Sequence, residues 1–139
     1  MADSQIAELP KVIGDVRRFQ QVLINIVKNA IKFTNEGSIE VKVCYRTDLE
    51  SLVVHVSDSG VGIAAEDISK LFSRFGKLSR TAQQNSEGIG LGLTIVKQIV
   101  EQSGGAVSIE SDGIGKGTLF IVCMKMDHIK EPSLNYYND

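Results

Sequence analysis

Residues 25–38, NIVKNAIKFTNEGS, place two asparagines, Asn25 and Asn29, one helical turn apart among apolar neighbours. Burying an amide group without a hydrogen-bond partner costs about 1–3 kcal/mol. A segment that serves only the core therefore has little reason to carry two amides on one stripe. We infer that the pair either caps another part of the chain or faces a polar ligand that the chain does not supply.

The apolar residues around this stretch recur at helical spacing from Asp15 to Phe33, which predicts one long amphipathic helix. Asp15 is the predicted N-cap, and the sequence TNEG is expected to end the helix at Gly37. Two alternating segments follow, SIEVKVCYR and SLVVHVSDSG. They predict a pair of strands joined as an antiparallel hairpin.

The second half of the chain predicts two more helices and two more strands. AAEDISKLFSRF predicts a short helix, LGLTIVKQIVEQSGG an amphipathic helix ended by Gly104 and Gly105, and AVSIESDG with GTLFIVCMKM a closing pair of strands. Between the helices, GKLSRTAQQNSEG is polar and has the length at which a structureless loop is usually functional or disordered.

These elements predict one domain over residues 10–126, with residues 1–9 and 127–139 as flexible tails. The expected fold is a two-layer α/β sandwich, in which a mixed, mainly antiparallel sheet carries about three helices on one face.

The bulk composition excludes several classes of function. A chain of 139 residues with a net charge of −2 gives no electrostatic reason to expect nucleic acid or an anionic membrane as a partner. Cys44 and Cys123 lack metal-ligand spacing and are expected to be reduced, buried thiols. No apolar run approaches the ~20 residues that span a bilayer, so we expect a cytoplasmic domain without membrane contact of its own.

Glycine is concentrated in three clusters, DSGVGI at 58–63, GIGLGL at 88–93 and GIGKGT at 113–118. None of them fits the phosphate-loop pattern, and none has the strand–turn–helix order of a dinucleotide fingerprint. Each cluster alone is a weak signal, since glycine pairs occur in many turns.

Taken in order, the asparagine pair and the clusters resemble the ATP-binding domain of the GHKL superfamily, and within it the catalytic domain of two-component sensor histidine kinases. The N, G1, F and G2 boxes of that family match QVLINIVKNAIKFT, DSGVGI, LFSRFGKL and EGIGLGLTIVKQIVEQSGG. The flanking sequences GDVRRF and GKGTLFIV are also similar to the family.

The resemblance implies that the chain binds ATP with Mg²⁺. Asn29 would coordinate the ion, with Asn25 beside it, and this would answer why the helix carries two amides. Asp58 would accept a hydrogen bond from the exocyclic amine of adenine, with Gly60 and Gly62 shaping the base pocket. The other nucleotide-binding positions that the resemblance implies are Lys32, Phe33, Ile63, Lys77, Arg80, Gly88, Gly90, Leu91, Gly92, Leu93 and Thr118.

Some of these positions have an equally good structural explanation. Phe33 could serve only the core, and Lys32 could be an ordinary surface charge. The loop that holds Lys77 and Arg80 corresponds to the ATP lid of the family, where such cations would neutralise the γ-phosphate. Lid sequences around these two residues match the family less well than the other boxes do.

The histidines limit what this chain can do by itself. His55 lies in a predicted strand and His128 in the predicted tail, and neither has the helical context of the family's phosphoacceptor. The resemblance therefore implies two partners, a separate histidine-containing dimerisation domain and a downstream response regulator. The isolated chain is expected to bind nucleotide without phosphorylating itself.

The residue at position 25 favours a kinase over an ATPase. Hydrolysing members of the superfamily place a glutamate four residues before the Mg²⁺ asparagine, where it can act as a general base towards water. Here that residue is Asn25, which cannot accept a proton at neutral pH. Two alternatives remain: a slow ATPase of the same superfamily, and a nucleotide-binding regulatory or interaction module without autokinase activity.

Overall fold

The computed structural model describes residues 9–71 and 89–129, and its first long element is helix α1, Val16–Phe33. Asp15 is the N-cap, as predicted, and its Oδ1 accepts a hydrogen bond from the Arg18 amide at 3.1 Å. The helix ends four residues before Gly37, because Thr34 already has an extended backbone conformation. Gly37 instead adopts a φ of +133° in the turn that leads to the first long strand.

Four antiparallel strands form the main sheet in the order β2-β3-β5-β4. Their bounds are Ile39–Arg46 for β2, Ser51–Asp58 for β3, Ala106–Glu110 for β4 and Thr118–Lys125 for β5. The predicted hairpin and the predicted closing pair of strands are both present, but the described part of the sheet is antiparallel throughout and not mixed. The central pairing of β3 with β5 places Asp58 directly opposite Thr118.

Helix α3, Ile89–Gln102, packs beside α1 and covers the same face of the sheet. Arg18 at the start of α1 donates a hydrogen bond to Oε1 of Gln102 at the end of α3, at 2.7 Å. The two helices are therefore antiparallel, and the start of α3 lies beside the C-terminal half of α1. The core between helices and sheet is formed by Val22, Ile26, Ala30, Leu52, Val54, Val56, Leu93, Val96, Val100, Phe120, Val122 and Met124, among others.

The other predicted helix is shorter than expected. Helix α2 covers only Ala65–Ile68, and Leu71 follows it into the core. The rest of the predicted segment and the polar loop after it, residues 72–88, lie outside the described residues. Among the described helices, none is both long enough and apolar enough to cross a membrane.

Two short strands that the sequence pattern did not reveal close the domain. Strand β1, Val12–Ile13, pairs antiparallel with β6, Asp127–His128, which lies in the segment that the sequence predicts as a flexible tail. The hydroxyl of Tyr45 donates to the carbonyl oxygen of Met126 at 2.8 Å and lies 3.3 Å from Nδ1 of His128. These two contacts connect Met126 and β6 to Tyr45 of β2.

The prediction of two buried thiols is wrong. Cys44 is exposed and Cys123 is half-buried, and both are free. Each pairs with Val53 in the sheet register, while Leu52 and Val54 on either side belong to the core. Because side chains alternate along a strand, both thiols lie on the sheet face away from α1 and α3.

Candidate functional site

Three buried polar side chains, Asn29, Asp58 and Thr118, meet at one end of the core, and their exposed fractions are 5%, 6% and 7%. They come from three different elements, α1, β3 and β5. Together they line a small pocket whose other walls are Phe33, Gly62, Ile63, Leu71, Leu93 and Phe120. Buried polar groups normally have hydrogen-bond partners within the protein, so this pocket, with three of them around it, is the candidate ligand site.

Asp58 ends strand β3, and its side chain organises the turn that follows. Oδ1 accepts a hydrogen bond from the Gly60 amide at 2.9 Å. An ionised carboxylate has about four acceptor sites, so most of the capacity of Asp58 remains for a ligand. The neighbouring Thr118 hydroxyl can donate or accept a hydrogen bond at the same end of the sheet.

Asn29 has the signature of a side chain that lacks its partner. Its Nδ2 is buried and has no hydrogen-bond partner among residues 9–71 and 89–129. Leaving such a donor unpaired costs about 1–3 kcal/mol. The same side chain carries an amide oxygen, a hard donor of the kind that Mg²⁺ takes. Asn29 thus fits both an anionic oxygen and a Mg²⁺ ion.

Asn25 lies one turn earlier on α1 and faces the start of α3. It is half-buried, and a Cβ added at Gly92 would lie 3.9 Å from both Cγ and Oδ1 of Asn25. The structure therefore brings the asparagine pair and the first turns of α3 together. A helix N-terminus presents unpaired amide donors and a partial positive charge, and both favour an anion next to Asn25.

Residues 58–63, the last residue of β3 and the loop after it, are called the first glycine turn. Residues 113–117, between β4 and β5, are called the second glycine turn. Gly62 has a φ of +69°, and a Cβ at this position would lie 2.1 Å from the carbonyl oxygen of Gly113. A Cβ at Gly60 would lie 2.2 Å from the carbonyl oxygen of Phe33. Only glycine fits at either position, because the backbone of the first glycine turn directly contacts the end of α1 and the second glycine turn.

Backbone hydrogen bonds fix the first glycine turn on two sides. The Val61 amide donates to the carbonyl oxygen of Phe33 at 3.0 Å, which ties the turn to the end of α1. Gly115 and Gly117 donate to the carbonyl oxygens of Val61 and Gly60, at 2.7 and 3.2 Å. The backbone of the first glycine turn, which carries the pocket residues Gly62 and Ile63, is therefore held in place without a ligand.

The remaining predicted residues divide into three groups. Phe33 and Leu93 line the pocket and also pack against the core, so the structural explanation of Phe33 is confirmed and its contact with a nucleotide stays a prediction. Lys32 is exposed on the last turn of α1, outside the lining of the pocket, and its role stays a prediction. Gly90 and Leu91 belong to α3, while Lys77, Arg80 and Gly88 lie outside the described residues.

Two lining residues, Leu71 and Phe120, were not singled out from the sequence. Phe120 follows Thr118 at a spacing of two on β5, so strand alternation already places both on the same face. Leu71 opens the segment LFSRFGKL that resembles the F box, but α2 is too short to show a period that would place its side chain.

Comparison with known proteins places this chain in a family. The model of the histidine kinase-, DNA gyrase B- and HSP90-like ATPases matches residues 14–128. Sensor protein GacS of Pseudomonas syringae pv. syringae is 37% identical over 128 residues, which is 88% of this chain and 14% of that protein. Histidine protein kinase 1 of Candida albicans is 40% identical over 123 residues, 86% of this chain and 5% of that protein.

Solved structures agree in fold. Full-length ShkA in complex with AMPPNP superposes with a TM-score of 0.73 at 29% identity, covering 89% of this chain and 25% of that one. The mycobacterial sensor histidine kinase MprB gives a TM-score of 0.69 at 28% identity, covering 85% and 78%. The resemblance read from the four sequence boxes is confirmed: the chain belongs to the histidine kinase-, DNA gyrase B- and HSP90-like ATPase family, the GHKL superfamily, as a domain of the sensor histidine kinase type.

Proposed function

We propose that this chain binds Mg²⁺–ATP in the pocket between α1 and the two glycine turns and donates the γ-phosphoryl group to a histidine on a separate domain. The observation that carries the proposal is the convergence of Asn29, Asp58 and Thr118, three buried polar side chains, on one pocket. Nδ2 of Asn29, which has no partner within residues 9–71 and 89–129, gives the strongest support for a ligand within that set.

The chemistry of the sheet end suits an adenine base. Ile63, Leu71 and Leu93 give apolar walls, and Phe33 adds an aromatic side chain. Adenine presents an exocyclic amine, which donates to a carboxylate such as Asp58. Guanine carries a carbonyl oxygen at the same position and would place two acceptors against each other, so the pocket should select adenine.

The chemistry of the helix end suits phosphates and their metal ion. Asn29 would hold Mg²⁺ through its amide oxygen, with Asn25 and the first turn of α3 facing phosphate oxygens. When bound, Mg²⁺ supplies neutralisation of the charge on the phosphate oxygens. Phosphoryl transfer depends mainly on positioning and charge stabilisation, and these residues are suited to both.

The acceptor histidine should come from outside the described residues. His55 pairs with Lys42 and Ile121 on the sheet face away from the helices, and His128 lies in β6. Neither lines the pocket. Asn25 cannot act as a general base for water, so bound ATP would wait for a dimerisation domain, and a response regulator would then receive the phosphoryl group.

The test is transfer between two separate proteins. The 139-residue chain is mixed with a histidine-containing dimerisation domain from a sensor kinase, and γ-labelled ATP is added with Mg²⁺. We expect acid-labile phosphate on the dimerisation domain, and none when its acceptor histidine is replaced by glutamine. Nucleotide binding without transfer to several such domains would contradict the kinase proposal and favour a nucleotide-binding regulatory module, while steady phosphate release would favour a slow ATPase.

A further inference from the structure

The hydroxyl of Ser111 lies where the two glycine turns meet. Its Oγ accepts a hydrogen bond from the Ile63 amide at 3.0 Å and donates to the carbonyl oxygen of Gly117 at 2.7 Å. It also accepts from the Gly113 amide at 3.3 Å. One side chain thus touches the end of the first glycine turn and both ends of the second.

The carbonyl oxygen of Gly113, at 3.4 Å, is a second and more distant acceptor for the same proton. The three shorter bonds use the whole capacity of a serine hydroxyl, which has one donor and two acceptor sites. Ser111 is half-buried and lines a neighbouring cavity that Asp58 and Thr118 also border, but it does not line the pocket that these two share with Asn29. Among the described residues, its hydrogen bonds are all with backbone groups. Any effect of Ser111 on a ligand in the Asn29–Asp58–Thr118 pocket would therefore act through the two turns.

Two of these backbone partners are linked directly to the pocket. Ile63 is one of its walls, and Gly117 directly precedes Thr118, another lining residue. The backbone bonds from Gly115 and Gly117 hold the second turn to Val61 and Gly60, near the middle of the first turn. The hydrogen bonds of Ser111 to Ile63 and Gly117 connect the second turn to the last residue of the first turn. With contacts at two places, the two turns are fixed in their relative orientation.

We propose that Ser111 is a positioning residue for the nucleotide pocket, setting the distance between the Ile63 wall and Thr118; this rests on the proposed nucleotide binding. Binding constellations work only when supporting hydrogen bonds hold them within about 0.5 Å of the required geometry. A serine 48 residues along the chain from Ile63 supplies that support here.

The first test measures affinity in matched variants of the 139-residue chain. Ser111→Ala removes all three bonds, Ser111→Thr restores the hydroxyl, and Ser108→Ala makes the same chemical change at an exposed position on β4. If Ser111→Ala loses the net contribution of one typical hydrogen bond, its affinity for an ATP analogue with Mg²⁺ should fall by about 3- to 10-fold. Ser111→Thr should regain most of the affinity, and Ser108→Ala should bind like the wild type.

The second test needs no nucleotide. Amide hydrogen exchange of Ile63 should accelerate in Ser111→Ala, while exchange of the buried core amide of Val122 on β5 should not change. Equal acceleration at both amides would show general destabilisation and overturn the proposal. So would wild-type affinity in Ser111→Ala, or an affinity loss that Ser111→Thr does not restore.

The two proposals fail in different ways. A wild-type chain that binds no nucleotide would refute the proposed function, and the Ile63 exchange alone would then decide whether Ser111 fixes the turn. A wild-type chain that binds nucleotide, with unchanged affinity in Ser111→Ala, would refute the role of Ser111 and leave the proposed function standing.

Discussion

Replacing Asp58 by asparagine separates the contribution of this residue to ligand binding from its contribution to the fold. Oδ1 of Asp58 accepts the Gly60 amide at 2.9 Å, and this bond shapes the first glycine turn. Asparagine keeps a side-chain oxygen for that bond but replaces the second carboxylate oxygen by an NH₂ donor. The turn should survive, while the adenine amine would meet a donor in place of an acceptor.

The expected magnitudes follow from these contacts. A hydrogen bond to a charged group contributes about 1.5–3 kcal/mol, so Asp58→Asn should weaken ATP binding by about 10- to 150-fold. Stability should change little. Asp58→Ala should lose similar affinity but also leave the half-buried Gly60 amide without its partner, which lowers the free energy of unfolding by about 1 kcal/mol.

Two measurements on the same samples decide the matter. Calorimetric titration with a non-hydrolysable ATP analogue gives the affinity, and urea unfolding gives the stability. A folded Asp58→Asn variant that binds the analogue as tightly as the wild type would refute the adenine-reading role. An affinity loss that occurs only in Asp58→Ala, together with its stability loss, would show that Asp58 serves the turn alone.

Three further predictions use other contacts of the site. Asn29→Ala should reduce the affinity measured in Mg²⁺ to near the value in EDTA; an equal loss in both titrations would contradict coordination of the ion. Gly62→Ala should destabilise the chain in urea by more than the about 1–2 kcal/mol of left-handed strain alone, because its Cβ would lie 2.1 Å from a backbone oxygen. Gly115→Ala is the control, with a φ of +80° and nothing within 4 Å, and equal losses would refute the close contact. Asn25→Glu should supply a general base and raise phosphate release from ATP at least about tenfold over Asn25→Gln, and equal rates would show that the residue does not decide between hydrolysis and storage of ATP.

The regular elements were predictable from the sequence because their residues repeat. The helical spacing through Val22, Ile26 and Ala30 and the alternation in β2 and β3 each span several periods. Strands β1 and β6 have two residues each and show no period. The predicted end of α1 was wrong because a glycine near the end of a helical pattern can either end the helix or belong to the turn that follows. Gly37 belongs to the following turn.

The site was predictable only in part. The sequence boxes pointed to Asn29 and Asp58, but nothing in the sequence shows that the side chain of Asn29 is buried with an unpaired donor. The pairing of Asp58 with Thr118 depends on the register of β3 and β5, which alternation leaves open. Ser111 gave no signal, because its role depends on contacts between turns far apart in sequence.

The most direct test of the central claim is calorimetric titration of the 139-residue chain with a non-hydrolysable ATP analogue, first with Mg²⁺ and then with EDTA. We expect binding at one site that weakens when the metal is removed, and no binding of the matching guanine nucleotide. Absence of binding in both conditions would contradict the assignment of the Asn29–Asp58–Thr118 pocket as a nucleotide site.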